Sequence, residues 1–190
     1  MQTVSGNFAY AGFWLRLGAM LVDFLVWVPL TLVLLWGELE YRLFDVYALA
    51  PLVLVSLAYH VWLVARFGGT PGKLWLGLRI ARIDGTPIGL RRALVRHLPE
   101  LLLWATSAAA LCVPLLAMSD EHYAELLPHL ARRHKELEAL APGWYRPIQV
   151  LYAVWVYGEL IVLLTNKKRR ALHDFLAGTV VIRSAKAHEA

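Results

Sequence analysis

The chain has 190 residues, 59% of them apolar and only 17% charged, with a formal net charge of +5. Soluble domains run at about 45–50% apolar and about 25% charged, so a water-soluble fold of this length is excluded because it could not cover so much apolar surface. The lone cysteine, Cys112, excludes an intramolecular disulfide framework and any paired-cysteine zinc site.

Four apolar stretches, about 13–36, 46–67, 98–118 and 148–165, are each near the about 20 residues that cross the hydrocarbon core at about 1.5 Å per residue. The first is too long for a cleaved signal: no positive charge precedes Arg16 and no small-residue cleavage site follows, so it reads as a retained span. Pro29, Pro51 and Pro114 lie within three of the stretches, where neighbouring helices can satisfy the freed carbonyls. Between the first two spans, Arg42 stands alone against Glu38, Glu40 and Asp45.

Residues 68–97 carry Lys73, Arg79, Arg82, Arg91, Arg92 and Arg96, and the tail carries Lys167, Lys168, Arg169, Arg170, Arg183 and Lys186. The segment between the third and fourth spans balances four basic against five acidic residues. By the positive-inside rule both termini and the second connecting segment are cytoplasmic, and the first and third segments lie outside. On the cytoplasmic side, Leu74, Leu76, Leu78 and Ile80 alternate with other residues, and Thr179 to Arg183 is a β-branched run after Gly178; these are strand signals, and the two segments are expected to pair. The third segment shows a helical face of Tyr123, Leu127, Leu130, Leu137 and Ala141, read as an amphipathic outer-loop helix. The fold class is thus an all-α membrane bundle of four transmembrane helices, in one domain over 1–190, with a small cytoplasmic β pairing.

Ionisable groups inside apolar spans are the sharpest functional signal, since a charge at mid-bilayer costs at least ~3 kcal/mol. Asp23 lies about 13 Å along its helix from Trp14, and His60 and Glu159 about 9–11 Å from the same membrane face. At similar depth on three helices they are candidates for an ion or proton pathway. The alternative is that each hydrogen-bonds neighbouring helices as structural glue. Arg16 shares a helix face with Asp23 but leans towards the helix N-terminus, so its expected partner is Asp174. Arg91, Arg92, Arg96, Lys167 and Lys168 are expected to meet anionic lipid headgroups.

Other motifs are weak. The glycines before Lys73 lack P-loop spacing and read as a tight turn. Glu121, Glu125 and His129, spaced by four, lack the tighter arrangement of catalytic zinc sites and read as a solvated face, so no metal is assigned. Nucleic acid binding finds no basic surface interleaved with aromatics. No nucleophile with an adjacent base and no cofactor fingerprint appears, so neither an enzyme nor a cofactor is expected.

Three segments carry a resemblance: Ala11-Gly12-Phe13-Trp14-Leu15-Arg16 leading to Asp23, Gly68-Gly69-Thr70-Pro71-Gly72-Lys73 followed by Leu76-Gly77-Leu78-Arg79, and Leu172-His173-Asp174-Phe175-Leu176-Ala177-Gly178-Thr179. In this order they resemble the RDD family of membrane proteins, named for one arginine and two aspartates. The resemblance implies that Arg16, Asp23 and Asp174 are the name residues, and that the chain sits in the cell membrane and moves a small ion or solute. The alternative is a non-transporting scaffold or assembly partner. Four spans are few for a complete transporter, so a homo-oligomer or a partner membrane protein is expected.

Overall fold

A computed structural model describes residues 9–184, so the chain ends and Lys186, used in the orientation reading above, lie outside the described residues. Four runs are long and apolar enough to cross a membrane: Phe13–Glu40, Phe44–Trp75, Leu90–Ala117 and Tyr145–Thr165. The first is helix α1. The second is assembled from α2 (Phe44–Leu57), a π-helical turn (Ala58–Trp62), α3 (Leu63–Phe67) and, after a short turn, α4 (Pro71–Trp75). Strand β1 (Leu78–Arg82) leads to α5 (Leu90–Ala117), then α6 (Asp120–Leu126), α7 (Leu130–Leu140), α8 (Tyr145–Thr165), α9 (Leu172–Ala177) and strand β2 (Thr179–Arg183). Large apolar side chains on the spans, such as Phe24, Leu32, Leu54 and Val154, are more than half exposed, as expected where lipid replaces water as solvent.

The third span departs from the expected 98–118 by starting at Leu90. Arginine is a good helix former, and the helix carries Arg91, Arg92 and Arg96 on its first turns, where Arg92 and Arg96 find protein partners. The chain divides into two compact units, residues 1–27, 55–99 and 155–190 in one and residues 28–54 and 100–154 in the other.

In the first unit, β1 and β2 pair antiparallel from Leu78↔Arg183 to Arg82↔Thr179, so the expected pairing forms, but the alternation read from Leu74 becomes strand only from Leu78, because Pro71 starts a helical turn that takes Leu74 into α4 with Leu76 as its cap. The chain before α1 lines the outer edge of β2, with Ala11 N–H donating to Val181 O and Arg183 N–H to Ala9 O, both at 2.9 Å. Leu78, Ile80 and Val181 from the sheet pack with Ala11, Ala19, Val61, Val64, Ile88 and Ala93. Gly178, with φ +65°, ends α9 in the left-handed conformation and turns the chain into β2. Gly72 solves a different problem. A Cβ there would lie 2.2 Å from the carbonyl oxygen of Ala19, so only glycine lets α4 approach the backbone of α1 this closely.

In the second unit, the segment expected to hold one amphipathic helix forms two. Pro128 has no amide to continue α6, and α7 begins only at Leu130. Ser119 caps α6 by accepting from His122 N–H at 3.2 Å. Tyr123, Leu126 and Leu137 are buried against Leu115 and Met118, whereas Leu130, expected on the same face, is exposed because the break rotates α7 relative to α6. The buried polar member of this unit is Arg133. Its guanidinium donates to Glu38 at 2.8 Å and to the Tyr123 hydroxyl at 3.1 Å, and that hydroxyl donates to Glu38 O at 2.7 Å.

Candidate functional site

The first unit contains two buried carboxylates with different surroundings. Asp23, on α1, is 8% exposed. It accepts from the Tyr59 hydroxyl at 2.6 Å, the Thr70 hydroxyl at 2.5 Å and the Gly72 N–H at 2.7 Å. The Lys73 ammonium lies 3.9 Å away. These donors arise locally: the π-turn carries Tyr59, and the left-handed Gly68 ends α3 so that Thr70 and the first turn of α4 fold back over α1. A π-turn inserts one extra residue per turn and re-aims the side chains on it, a device common at functional sites.

Asp174, at the third position of α9, is fully buried. Arg16 donates to it at 2.9 Å, the Arg96 guanidinium donates to its other oxygen, Thr179 Oγ1 donates at 2.9 Å and Ala171 N–H at 3.1 Å. Burial pushes its pKa up, but the charges of Arg96, His173 and Arg16 outweigh that and hold the carboxyl well below the usual carboxylate range. Arg170 supports the same turn, donating to Asp174 O at 2.8 Å and Thr179 O at 3.0 Å, while Arg92 holds the last carbonyls of α9, Ala177 O and Gly178 O. The expected contact between Arg16 and Asp174 is therefore present, together with a second guanidinium.

The three expected pathway residues have separate partners. Asp23 sits in the cradle just described. His60 stacks on His97 with ring centroids 4.5 Å apart and on Trp27 at 6.2 Å, and meets the Tyr59 ring edge-on at 5.0 Å. His97 in turn lies 2.8 Å from Ser56 Oγ. Glu159 pairs with His173, accepting its N–H at 3.0 Å and lying 2.5 Å from Nδ1. Burial, and after it the Arg96 charge, lower the His173 pKa below the ordinary imidazole value. One line of contacts thus runs from Lys73 through Asp23, Tyr59, His60 and His97 to Ser56, and a second runs from Glu159 through His173 to Asp174, whose carboxylate is 3.9 Å from His173 Nε2.

Among the residues expected at lipid headgroups, Arg91, Lys167 and Lys168 are exposed. Arg92 and Arg96 instead spend their guanidiniums on α9 and Asp174.

The model of the RDD family matches residues 10–178. The chain belongs to the RDD family. RDD proteins are membrane proteins, in agreement with the four apolar helices here. No curated protein and no solved structure matches the chain significantly. The matched region contains Arg16, Asp23 and Asp174, and the structure divides them, with Arg16 on Asp174 and Asp23 on its own donors.

Tyr59, His97, His173, Arg170 and the ion-pair role of Arg96 are missing from the sequence-based site. Thr70 and Gly72 lie in the glycine-rich turn that reads there only as a tight turn. A signal existed for Arg96: three arginines in six residues, opposite a tail rich in carbonyls and carrying Asp174. Nothing in a uniformly apolar span marks Tyr59, because which face it takes depends on the π-turn.

Proposed function

We propose that this RDD-family protein moves a proton or a small cation across the cell membrane, with Asp23 and His60 on one contact line and Glu159 on a second. The supporting observation is the unbroken contact line from Asp23 through the Tyr59 hydroxyl and ring to His60 and His97, contributed by three spans. Carboxylate, phenol and imidazole groups each both gain and lose protons, and inside apolar helices they are costly to keep unless used. Both termini are cytoplasmic in this reading, the exposed Arg91, Lys167 and Lys168 meet anionic headgroups, and the working unit is a homo-oligomer or a complex with another membrane protein.

A second reading has an observation of its own. Asp174 is saturated by two guanidiniums, a hydroxyl and an amide, as a device for locking helices together would be, and this favours a non-transporting scaffold or assembly partner. Purified protein in liposomes loaded with a pH-sensitive dye separates the two. Transport predicts proton or cation flux above empty liposomes, lost in Asp23→Asn; a wild-type protein that gives no flux under any imposed ion gradient leaves the scaffold reading. Orientation is tested in a Cys112→Ala background, where a cysteine at Glu138 reacts with an impermeant thiol reagent from outside and one at Asp84 does not; the reverse pattern overturns it.

A further inference from the structure

A cavity of about 550 Å³ opens beside the first turn of α1 and the last turn of α8, lined by Gly12 to Leu15, Leu164, Arg169 and Arg183. Its volume is in the range of small-molecule sites, and its lining divides in two. Phe13, Trp14, Leu15 and Leu164 form an apolar and aromatic wall, while Arg169 and Arg183 supply two cations; among the described residues no carboxylate lines it. Its position is informative as well. Phe13 opens one helix long and apolar enough to cross a membrane and Thr165, next to Leu164, closes another; the four-span reading therefore puts the apolar wall where spans leave the hydrocarbon and the two arginines just beyond, at the level of lipid phosphates.

The loop after α8 places Arg169 at the cavity with one guanidinium nitrogen donating to Leu164 O at 3.2 Å and its remaining donors open among the described residues. Asn166 grips Arg170 on both sides, Oδ1 accepting its N–H at 2.8 Å and Nδ2 donating to its carbonyl at 2.5 Å, and the Arg170 guanidinium is buried over the Phe175 ring, 4.0 Å from its centroid. With Arg170 turned inward, Arg169 is forced to φ +50°, the left-handed conformation that a non-glycine residue enters at a cost, and its side chain is exposed. Arg183 is positioned from the other direction as the last residue of β2, paired with Leu78 and tied through its N–H to Ala9.

We propose that this cavity holds one anionic phospholipid, its phosphate between Arg169 and Arg183 and an acyl chain along Phe13, Leu15 and Leu164. Guanidiniums offer paired N–H donors that match phosphate oxygens, and an acyl chain is the apolar group available at this depth. The site is separate from the contact lines around Asp23 and Asp174, and it names arginines distinct from the exposed lysines expected at bulk headgroups.

The test is thermal unfolding of the purified full chain in detergent micelles, with phosphatidylglycerol or phosphatidylcholine of identical acyl chains added. Phosphatidylglycerol at saturating levels raises the apparent melting temperature by on the order of 5 °C over phosphatidylcholine. Arg169→Gly, which accepts the left-handed backbone without strain, and Arg183→Gln each remove most of that difference, while the double variant Lys167→Gln/Lys168→Gln keeps it. The proposal is overturned if the two arginine variants respond like wild type, if the lysine variant loses the response equally, which marks diffuse surface attraction, or if inorganic phosphate alone produces the full shift, which marks a free-anion site.

Discussion

Asp23 and Asp174 are the same side chain, both buried in the same unit, and they are neutralised by different means. Asp174 faces two full charges, Arg16 and Arg96, and its remaining lone pairs are taken by Thr179 and Ala171. Asp23 is met by two hydroxyls and one amide, with the Lys73 ammonium 3.9 Å away. The difference teaches that burial alone does not define a role. A carboxylate gripped by guanidiniums has one stable arrangement, whereas one held by hydroxyls sits among partners that can reverse their donor and acceptor roles. The first is suited to locking α1, α5 and α9 together, and the second to exchanging a proton or a cation.

The largest effect is expected at the lock. Asp174→Ala strands two buried guanidiniums and lowers stability by about 3–5 kcal/mol, whereas Arg16→Ala leaves Arg96 on the carboxylate and costs about 1.5–3 kcal/mol. The double variant is little worse than Asp174→Ala alone, because the pair shares one interaction. Denaturation of the four proteins in detergent checks this, and additive losses would show that the two residues act apart. From the pairing of Arg16 with Asp174 alone, the two single losses would be similar; the second arginine breaks that symmetry.

Next in size is Gly72→Ala, about 1–3 kcal/mol, since the added methyl meets the Ala19 backbone, which cannot rotate away. This variant also pushes on the Asp23 cradle through the Gly72 N–H, so it distinguishes the two carboxylates: unfolding becomes easier while the Arg16–Asp174 pair stays intact. An Arg16→Ala loss of the same size in the Gly72→Ala background as in the wild type checks that the lock is undisturbed, and a melting temperature equal to wild type would show that α4 does not press on α1.

A smaller effect is the pH dependence of the lock. The folded His173 pKa is lowered, so the unfolded chain binds more protons and stability falls as pH drops below about 6.5. The folded Asp174 pKa is also lowered, so its contribution is present above about pH 4 and is lost in stronger acid. Melting temperature against pH should therefore decline in two stages, and His173→Gln should flatten the first and weaken the second, because the His173 charge is one of those that hold the Asp174 carboxyl low. An unchanged first stage in that variant would assign it to other groups.

Much of the architecture is legible in the residues. Four spans follow from apolar length, and the β1–β2 pairing follows from alternation and a β-branched run. The contact of Arg16 with Asp174 follows from the tilt of side chains along a helix and the return of the tail beside β1. The rest was hidden for physical reasons. Helical rotation cannot be read in a span where nearly every residue is apolar, so the partners of Asp23 and His60 depend on a π-turn at Ala58–Trp62 that leaves no mark in the composition, and that of Glu159 on how the tail brings His173 to α8. Arg92 and Arg96 look like surface charges until the tail is folded against them, and Arg133 looks like part of a solvated face until the Pro128 break turns it to Glu38.

The claim that the two carboxylates divide the work between movement and locking is tested most directly by flux per folded molecule. Asp23→Asn and Arg16→Ala are reconstituted side by side in dye-loaded liposomes, with folded protein quantified in each. The account predicts that Asp23→Asn falls to the level of empty liposomes while Arg16→Ala, though less stable, keeps wild-type flux for each molecule that remains folded. Equal flux in Asp23→Asn and wild type, or loss confined to Arg16→Ala, would contradict it.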